Sequence, residues 1–465
     1  MKRSKVFKVV DVESGVKRLS SEPAGRLFVR TFGCQMNEYD SLRVERLLGL
    51  SGYVVTHSLQ DADVIFLNTC SVRAKAEQKV HSFLGRLKRF KERRPGLKII
   101  VAGCVAQQLG ERLLERFDTL DLVLGTRAIT SVGDLLGRIQ EGEVRRLACL
   151  GDEDDTSWTR LFHRCESIPS GIVAPVTIMQ GCNNFCTYCI VPLVRGRERS
   201  RPVDEILREI NLLVAGGARE ALLLGQNVNS YGMGLQEEHS FVDLLRRIHD
   251  ETDIQRIRFT TSHPKDLTAD LIRCFRDLPK LCKHLHLPVQ AGSDRILSLM
   301  NRKYTSAQYR ERIARLRDMC PEIGLTADVM VGFPGETEGD FEETLGLLQD
   351  VQYDNLFSFR YSHRPGTRAS QMGDEISETT KVRRLSELQS LQAQITVRKS
   401  LAEVGAVREI LVEGPSRASN GQLMGRTQQN RIVNFQGDEG LVGRLAVVRI
   451  VEAFAHSLRG ELVSS

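Results

Sequence analysis

The stretch "APVTIMQGCNNFCTYCIVP", Ala174–Pro192, runs a strand-like segment into three closely spaced cysteines. Cys182, Cys186 and Cys189 lie on a tight polar loop with C-x3-C-x2-C spacing. A helix candidate, "PVDEILREINLLVAGG", opens at Pro202. The same alternation continues through "REALLLGQN", "SFVDLLRRIHDE", "RIRFTTSHP", "HLHLPVQAG", "SAQYRERIARLRDM" and "LTADVMVGFPGET", as far as "LFSFRYS". About six strand–helix units predict an open or partial β/α barrel over 171–398. Folds of this kind place ligands at the carboxyl ends of their strands. The cysteine loop sits at such an end.

Three thiolates on one loop suit three irons of a cubane cluster, leaving the fourth iron open to a small molecule. Zinc is the rival, but a structural zinc takes four ligands and no further Cys or His lies near in sequence. Three unrelated buried thiols are the remaining reading. His284 and His286 alternate along one strand, and one is expected in the core with the other toward the site.

Upstream, "RLFVRTFG", "ADVIFLNTC", "LKIIVAGC" and "DLVLG" alternate with helical segments and predict a parallel α/β domain over 26–145. Residues 1–25 read as an irregular lead-in, and 146–170 as a linker. Cys34, Cys70 and Cys104 are each solitary, yet each comes at or just past a strand end. Parallel strand ends cluster in space, so these thiols are expected to form a second three-thiolate site. Downstream, "ETTKVRRLSELQSLQAQITVRKSL" is a connecting helix. Short strands between Gly- and Asn-containing turns then predict a small all-β barrel over 399–464.

The net charge of +6 leans mildly toward an anionic partner. No apolar run is long enough to span a membrane, and the N-terminus lacks a secretory pattern. A cytoplasmic protein with reduced thiols is expected, so its 11 cysteines point to metal or catalysis rather than disulfides.

The cysteine loop with its aromatic Tyr188 resembles that of the radical S-adenosylmethionine (SAM) enzymes. Both cysteine sets together, in this order, resemble the methylthiotransferases of that superfamily, which end in an RNA-binding TRAM-type barrel. The resemblance covers nearly the whole chain. It implies two [4Fe–4S] clusters, one on Cys182, Cys186 and Cys189 and a second on Cys34, Cys70 and Cys104. It implies SAM as cofactor, with Tyr188, Gln226, Asn227, Ser262, Gln290, Asp328 and Gly332 at its site. Asn227 and Gln290 also read as strand-end caps, and Gly332 as a turn residue. An electron donor such as a flavodoxin or ferredoxin is implied as well.

The segments "TFGCQMNEYDS", "NTCSVR" and "LMGRTQQNRIVNF" resemble the branch that acts on N6-isopentenyladenosine-37, beside the anticodon of tRNA. The other branches act on threonylcarbamoyladenosine in tRNA or on a ribosomal protein. The implied reaction replaces the adenine C2 hydrogen with a methylthio group. A non-catalytic iron–sulfur protein that binds RNA is the alternative from another class. Arg195, Arg197 and Arg199 in "RGRERSRP", with Arg426 and Arg431 in the barrel, are expected to contact RNA phosphates.

Overall fold

The computed structural model describes residues 23–463 apart from 72–73, 152–167, 169, 236–238, 374 and 417–420. Most of the expected linker, with Trp158 and Cys165, and nearly all of the N-terminal lead-in lie outside the described residues, as does Arg417.

Six parallel strands form the first sheet, in the order β2-β1-β3-β4-β5-β6. They are β1 (Gly25–Phe32), β2 (Tyr53–Val55), β3 (Val64–Thr69), β4 (Lys98–Gly103), β5 (Leu122–Leu124) and β6 (Leu147–Cys149). The central strands are apolar on both faces because helices cover both. Val64 and Phe66 of β3 pack with Val44 and Leu48 of helix Gln35–Leu50. Ile65 and Leu67 face the other way, toward Val80, Leu84 and Leu87 of helix Ala74–Arg93. Two strands escaped the sequence. "SGYVV" turns at Gly52 out of the first helix into β2, and Leu147–Cys149, read as linker, closes the sheet as β6. Both are three residues long, too short for a period-two pattern to register. The strand order reverses at β1 and β3, with β2 on one side and β3 on the other. That is the switch point where open α/β sheets hold ligands.

The second unit is a partial barrel. Strands β7 (Val173–Thr177), β10 (Glu220–Leu224) and β11 (Arg256–Phe259) form one parallel sheet. Strands β12 (His284–His286), β13 (Gly324–Val331) and β14 (Asn355–Arg360) form another, and a parallel bridge between Ile257 and Leu281 links the two. A short antiparallel pair, β8 (Met179–Gln180) and β9 (Arg199–Ser200), brackets the cysteine loop. Helix Glu378–Leu401 then leads to a closed five-stranded barrel made of β15 (Val407–Pro415), β16 (Leu423–Thr427), β17 (Ile432–Phe435), β18 (Leu445–Ala453) and β19 (Leu458–Leu462). Phe435 is fully buried in the core of that barrel. Among the described residues no helix is long and apolar enough to cross a membrane.

The three units are locked by buried charge. The small barrel plugs the amino-terminal end of the partial barrel. Arg256 donates to the Arg426 carbonyl at 2.6 Å, and Arg258 donates to the Gln428 and Thr427 carbonyls at 3.1 and 3.3 Å. Helix Gln35–Leu50 seats the first domain at the opposite end. Its Met36 and Tyr39 pack on Leu224, the last residue of β10, and the Tyr39 hydroxyl donates to both Glu209 carboxylate oxygens at 3.2 Å. Glu209 also pairs with Arg201, and both side chains are fully buried. Removing one partner of a fully buried pair leaves an uncompensated charge, at a cost of about 3–5 kcal/mol. Glu209→Gln is therefore expected to lower the denaturation midpoint by much more than Tyr39→Phe, which loses one hydrogen bond worth about 1 kcal/mol. Anaerobic urea titrations followed by circular dichroism compare the two.

Candidate active site between two thiol clusters

Cys34, Cys70 and Cys104 come just past the ends of β1, β3 and β4 and meet at the switch point of the first sheet. Asn37 gathers them. Its Oδ1 accepts from the Cys34 amide and thiol, both at 3.4 Å, and its Nδ2 donates to Asn68 Oδ1 at 2.9 Å and to the Thr69 carbonyl at 3.2 Å. Asn68 Nδ2 donates back to the Asn37 carbonyl at 2.8 Å, and Thr69 Oγ1 donates to the Ala102 carbonyl at 2.6 Å. Glycine is needed before Cys104. Gly103 has φ +93, and a Cβ there would collide with Asn68 Oδ1 and the Thr69 carbonyl.

The Cys70 thiol touches both of the others. Its contact lowers Cys34 to about 6 and Cys104 to about 7; burial opposes this and the nearby Arg195 charge assists. Cys70 itself is pushed upward by those two contacts and by burial.

In the second set, burial raises Cys182 to about 11 and Cys189 to about 12. These thiols keep their protons until a metal displaces them. Their loop is tied from outside. Gln226 Oε1 accepts from the Gly181 amide at 2.5 Å, and Asn301 Nδ2 donates to the Asn184 and Phe185 carbonyls at 3.2 and 3.0 Å. Arg302, buried, reaches Cys186 Sγ at 3.4 Å and the Tyr188 hydroxyl at 3.5 Å. It also donates to the Pro288 carbonyl at 2.6 Å and to the Tyr304 hydroxyl at 3.0 Å. Among the described residues, no group of three or more His, Cys, Asp or Glu side chains is arranged to hold a single metal ion.

Beside this loop lie buried polar atoms without a partner among the described residues: Asn227 Oδ1, Ser262 Oγ and His263 Nε2. Asn227 is oriented by Asp266, whose carboxylate takes its Nδ2 hydrogen at 2.8 Å. Burial and the neighbouring Arg302 charge drive the His263 pKa down, so its ring is neutral. A polar ligand with both donors and acceptors suits these atoms, as the amino and carboxyl groups of SAM would.

Other expected SAM contacts are already engaged. The Gly332 amide donates to Glu336 Oε2 at 2.6 Å, and Gln226 props the cysteine loop. Gln290 adopts φ +76, and its backbone bridges the Asp328 carbonyl and the Met330 amide. Asp328 stands 3.7 Å from His286 Nε2. His284 and His286 both bond Thr326 Oγ1, at 3.1 and 3.0 Å. They share one face, contrary to the sequence expectation, because residues two apart on a strand point the same way. By register, Asp328 and Phe357 stand opposite each other on that inner face, as do Met330 and Phe359. Both phenylalanines are exposed, and Phe357 meets the His286 ring edge-on at 6.0 Å.

The arginines divide. Arg197 is exposed and lies over the Phe185 ring at 5.4 Å, on the outside of the cysteine loop, and Arg199 is half-buried in β9. Arg195, expected at RNA phosphate, is instead buried against Asp40 of the first domain at 2.9 Å. Arg426 pairs with Glu413 at 2.9 Å within the small barrel, while Arg431 pairs with Asp354 at 2.6 Å and ties the small barrel to the larger one. Sequence alone shows that an arginine is present but not which carboxylate the fold sets beside it.

Comparisons with known proteins bear on these sites. Uncharacterized protein family UPF0004 matches residues 26–125, the Radical SAM superfamily matches 176–348, and the TRAM domain matches 401–463. A protein of Syntrophobacter fumaroxidans, named tRNA-2-methylthio-N(6)-dimethylallyladenosine synthase, is 64% identical over 95% of this chain and 97% of its own. The chain belongs to the tRNA-2-methylthio-N(6)-dimethylallyladenosine synthase family. A further member, from Syntrophotalea carbinolica, is 50% identical over 94% of this chain and 99% of its own. Among solved structures, the radical SAM methyltransferase TsrM from Kitasatospora setae aligns with TM-score 0.56 at 13% identity, over 75% of each chain. The cobalamin-dependent radical SAM enzyme OxsB aligns with TM-score 0.52 at 10% identity, over 79% of this chain and 56% of that one. At such identities they show the fold alone. Membership in this family brings radical SAM chemistry, and with it SAM and a [4Fe–4S] cluster, which the Cys182–Cys189 loop and the unpartnered polar atoms beside it fit.

Arg302 was not legible in sequence, since no spacing connects it to Cys186. A positive donor on a ligand sulfur stabilises the reduced, more negative cluster. Arg302→Met is expected to lower that cluster's reduction potential by on the order of 50 mV, one hydrogen bond's worth for a one-electron couple. An anaerobic redox titration followed by electron paramagnetic resonance (EPR) measures it.

Proposed function

We propose that this protein replaces the C2 hydrogen of N6-dimethylallyladenosine (isopentenyladenosine), at position 37 beside the tRNA anticodon, with a methylthio group. One observation carries the two-cluster form of this reading: the fold gathers two sets of three thiols and joins them through the single segment from Cys189 to Arg195. Each set is one ligand short of a closed site, so each leaves one cluster iron open. Cys182, Cys186 and Cys189 hold the cluster that engages SAM; Cys34, Cys70 and Cys104 hold the second. Iron–sulfur and SAM chemistry supply the one-electron cleavage of an unactivated C–H bond, and the protein supplies position and exclusion of water.

In this scheme Asn227, Ser262 and neutral His263 meet the polar groups of SAM. Phe357 and Phe359 offer a stacking face for the modified base, and Arg197, Arg199 and Phe185 contact RNA at the rim of the site. A flavodoxin or ferredoxin delivers the electrons, and the cytoplasm, where tRNA and reduced thiols coexist, is the place of action.

Nucleosides from a deletion strain and from the same strain complemented with this gene test the substrate. The 2-methylthio form of isopentenyladenosine is expected only after complementation; its continued absence would overturn the assignment. Iron and sulfide analysis of the anaerobic protein is expected to give about eight irons per chain, and about four after Cys182→Ala, Cys186→Ala and Cys189→Ala together. Base stacking is worth about 1–3 kcal/mol. Phe357→Ala is therefore expected to raise KM for the tRNA roughly 5- to 150-fold with the iron count unchanged, as steady-state kinetics would show.

A further inference from the structure

Arg195 is buried beside the thiols of Cys34 and Cys104. It ends helix Val191–Arg195, whose Val194 and the preceding Ile190 pack on Cys104. The Val194 carbonyl accepts from Thr126 Oγ1 of the first domain at 2.6 Å, which fixes the segment. The Arg195 side chain is 3% exposed. Its Nη2 donates to Asp40 Oδ2 at 2.9 Å. The guanidinium lies against the Cys104 thiol and near Cys34. Its Nη1 is buried and has no hydrogen-bond partner among the described residues.

Asp40 thus takes one edge of a rigid fork and aims the other. A guanidinium cannot shed its charge in a protein, and a buried N–H left unmade is costly, so an unused donor in this position implies an acceptor. The nearby groups are the thiols of Cys34 and Cys104. We propose that Arg195 is the positioning residue for an anionic sulfur ligand of the hydrosulfide or thiolate class at the Cys34–Cys70–Cys104 site, with Asp40 orienting its fork. The same residue sits six positions after Cys189, so the segment that leaves the SAM loop also carries the sulfur clamp. One short length of chain thereby runs from one thiol set to the other. This inference rests on the two-cluster reading above.

The test uses the full-length chain carrying Cys182→Ala, Cys186→Ala and Cys189→Ala, which retains only the second cluster. Sodium sulfide or sodium methanethiolate is titrated in anaerobically, and the EPR spectrum of the reduced cluster reports binding. With about four irons per chain retained, Arg195→Gln is expected to weaken sulfide binding at least about tenfold. Arg195→Lys, which keeps the charge without the fork, is expected to fall between it and the parent. Asp40→Asn, which frees the fork to turn, is expected to weaken binding with the iron content unchanged. Unaltered sulfide affinity and spectrum in iron-loaded Arg195→Gln would overturn the proposal. So would loss of iron in all three Arg195 and Asp40 variants, which would make the pair a docking contact only. A triple cysteine variant holding no iron would instead remove the two-cluster reading, and the clamp with it.

Discussion

The structure turns on how one helix, Gln35–Leu50, docks onto the central domain. Its first two turns alternate between two tasks. Asn37 and Ser41 look inward and tie the thiol-bearing strand ends together, while Met36, Tyr39 and Asp40 look outward to Thr177, Glu209 and Arg195. Helical geometry allows this because residues three and four apart share a face and their neighbours do not. The contacts are buried and charged, so their worth lies less in net stability than in the penalty for any other arrangement. Slipping the helix would strand Asp40 and Arg195 without each other and take the Tyr39 hydroxyl away from the buried Glu209. The relative position of the two thiol sets is fixed by that penalty.

The two sets differ in how their thiols are held. One is strung on a single loop and needs outside ties from Gln226, Asn301 and Arg302. The other is assembled from three strand ends at a sheet's switch point and needs internal ties from Asn37, Asn68 and Thr69. Their electrostatics follow. In the first set burial outweighs the nearby charges, raising Cys182 and Cys189. In the second, contact with Cys70 and the charge of Arg195 favour thiolate at Cys34 and Cys104.

Much of this was legible in the chain. The period-two and helical patterns marked the long strands and helices, and both cysteine sets stood out by spacing or by position after a strand. The segment "TFGCQMNEYDS", whose resemblance pointed to the isopentenyladenosine branch, turns out to be made of gathering and docking residues rather than a surface open to substrate. Charged residues were the least legible. Arg195, Arg426 and Arg431 read as phosphate contacts because arginine suits phosphate, yet Arg195 and Arg431 are paired with carboxylates from another unit of the fold and Arg426 with Glu413 on the neighbouring strand. Arg302 had no signal at all, since its partner lies 116 residues away.

The sequence by itself determined the three units, the two thiol sets and the chemical class, because these depend on local periodicity and on residue types that few roles can use. Tertiary structure alone decided which polar groups are spent on the fold and which are left for ligands. That division depends on burial and on partners brought from distant segments, so it exists only once the chain has closed around Asn227, Ser262, His263 and Arg195.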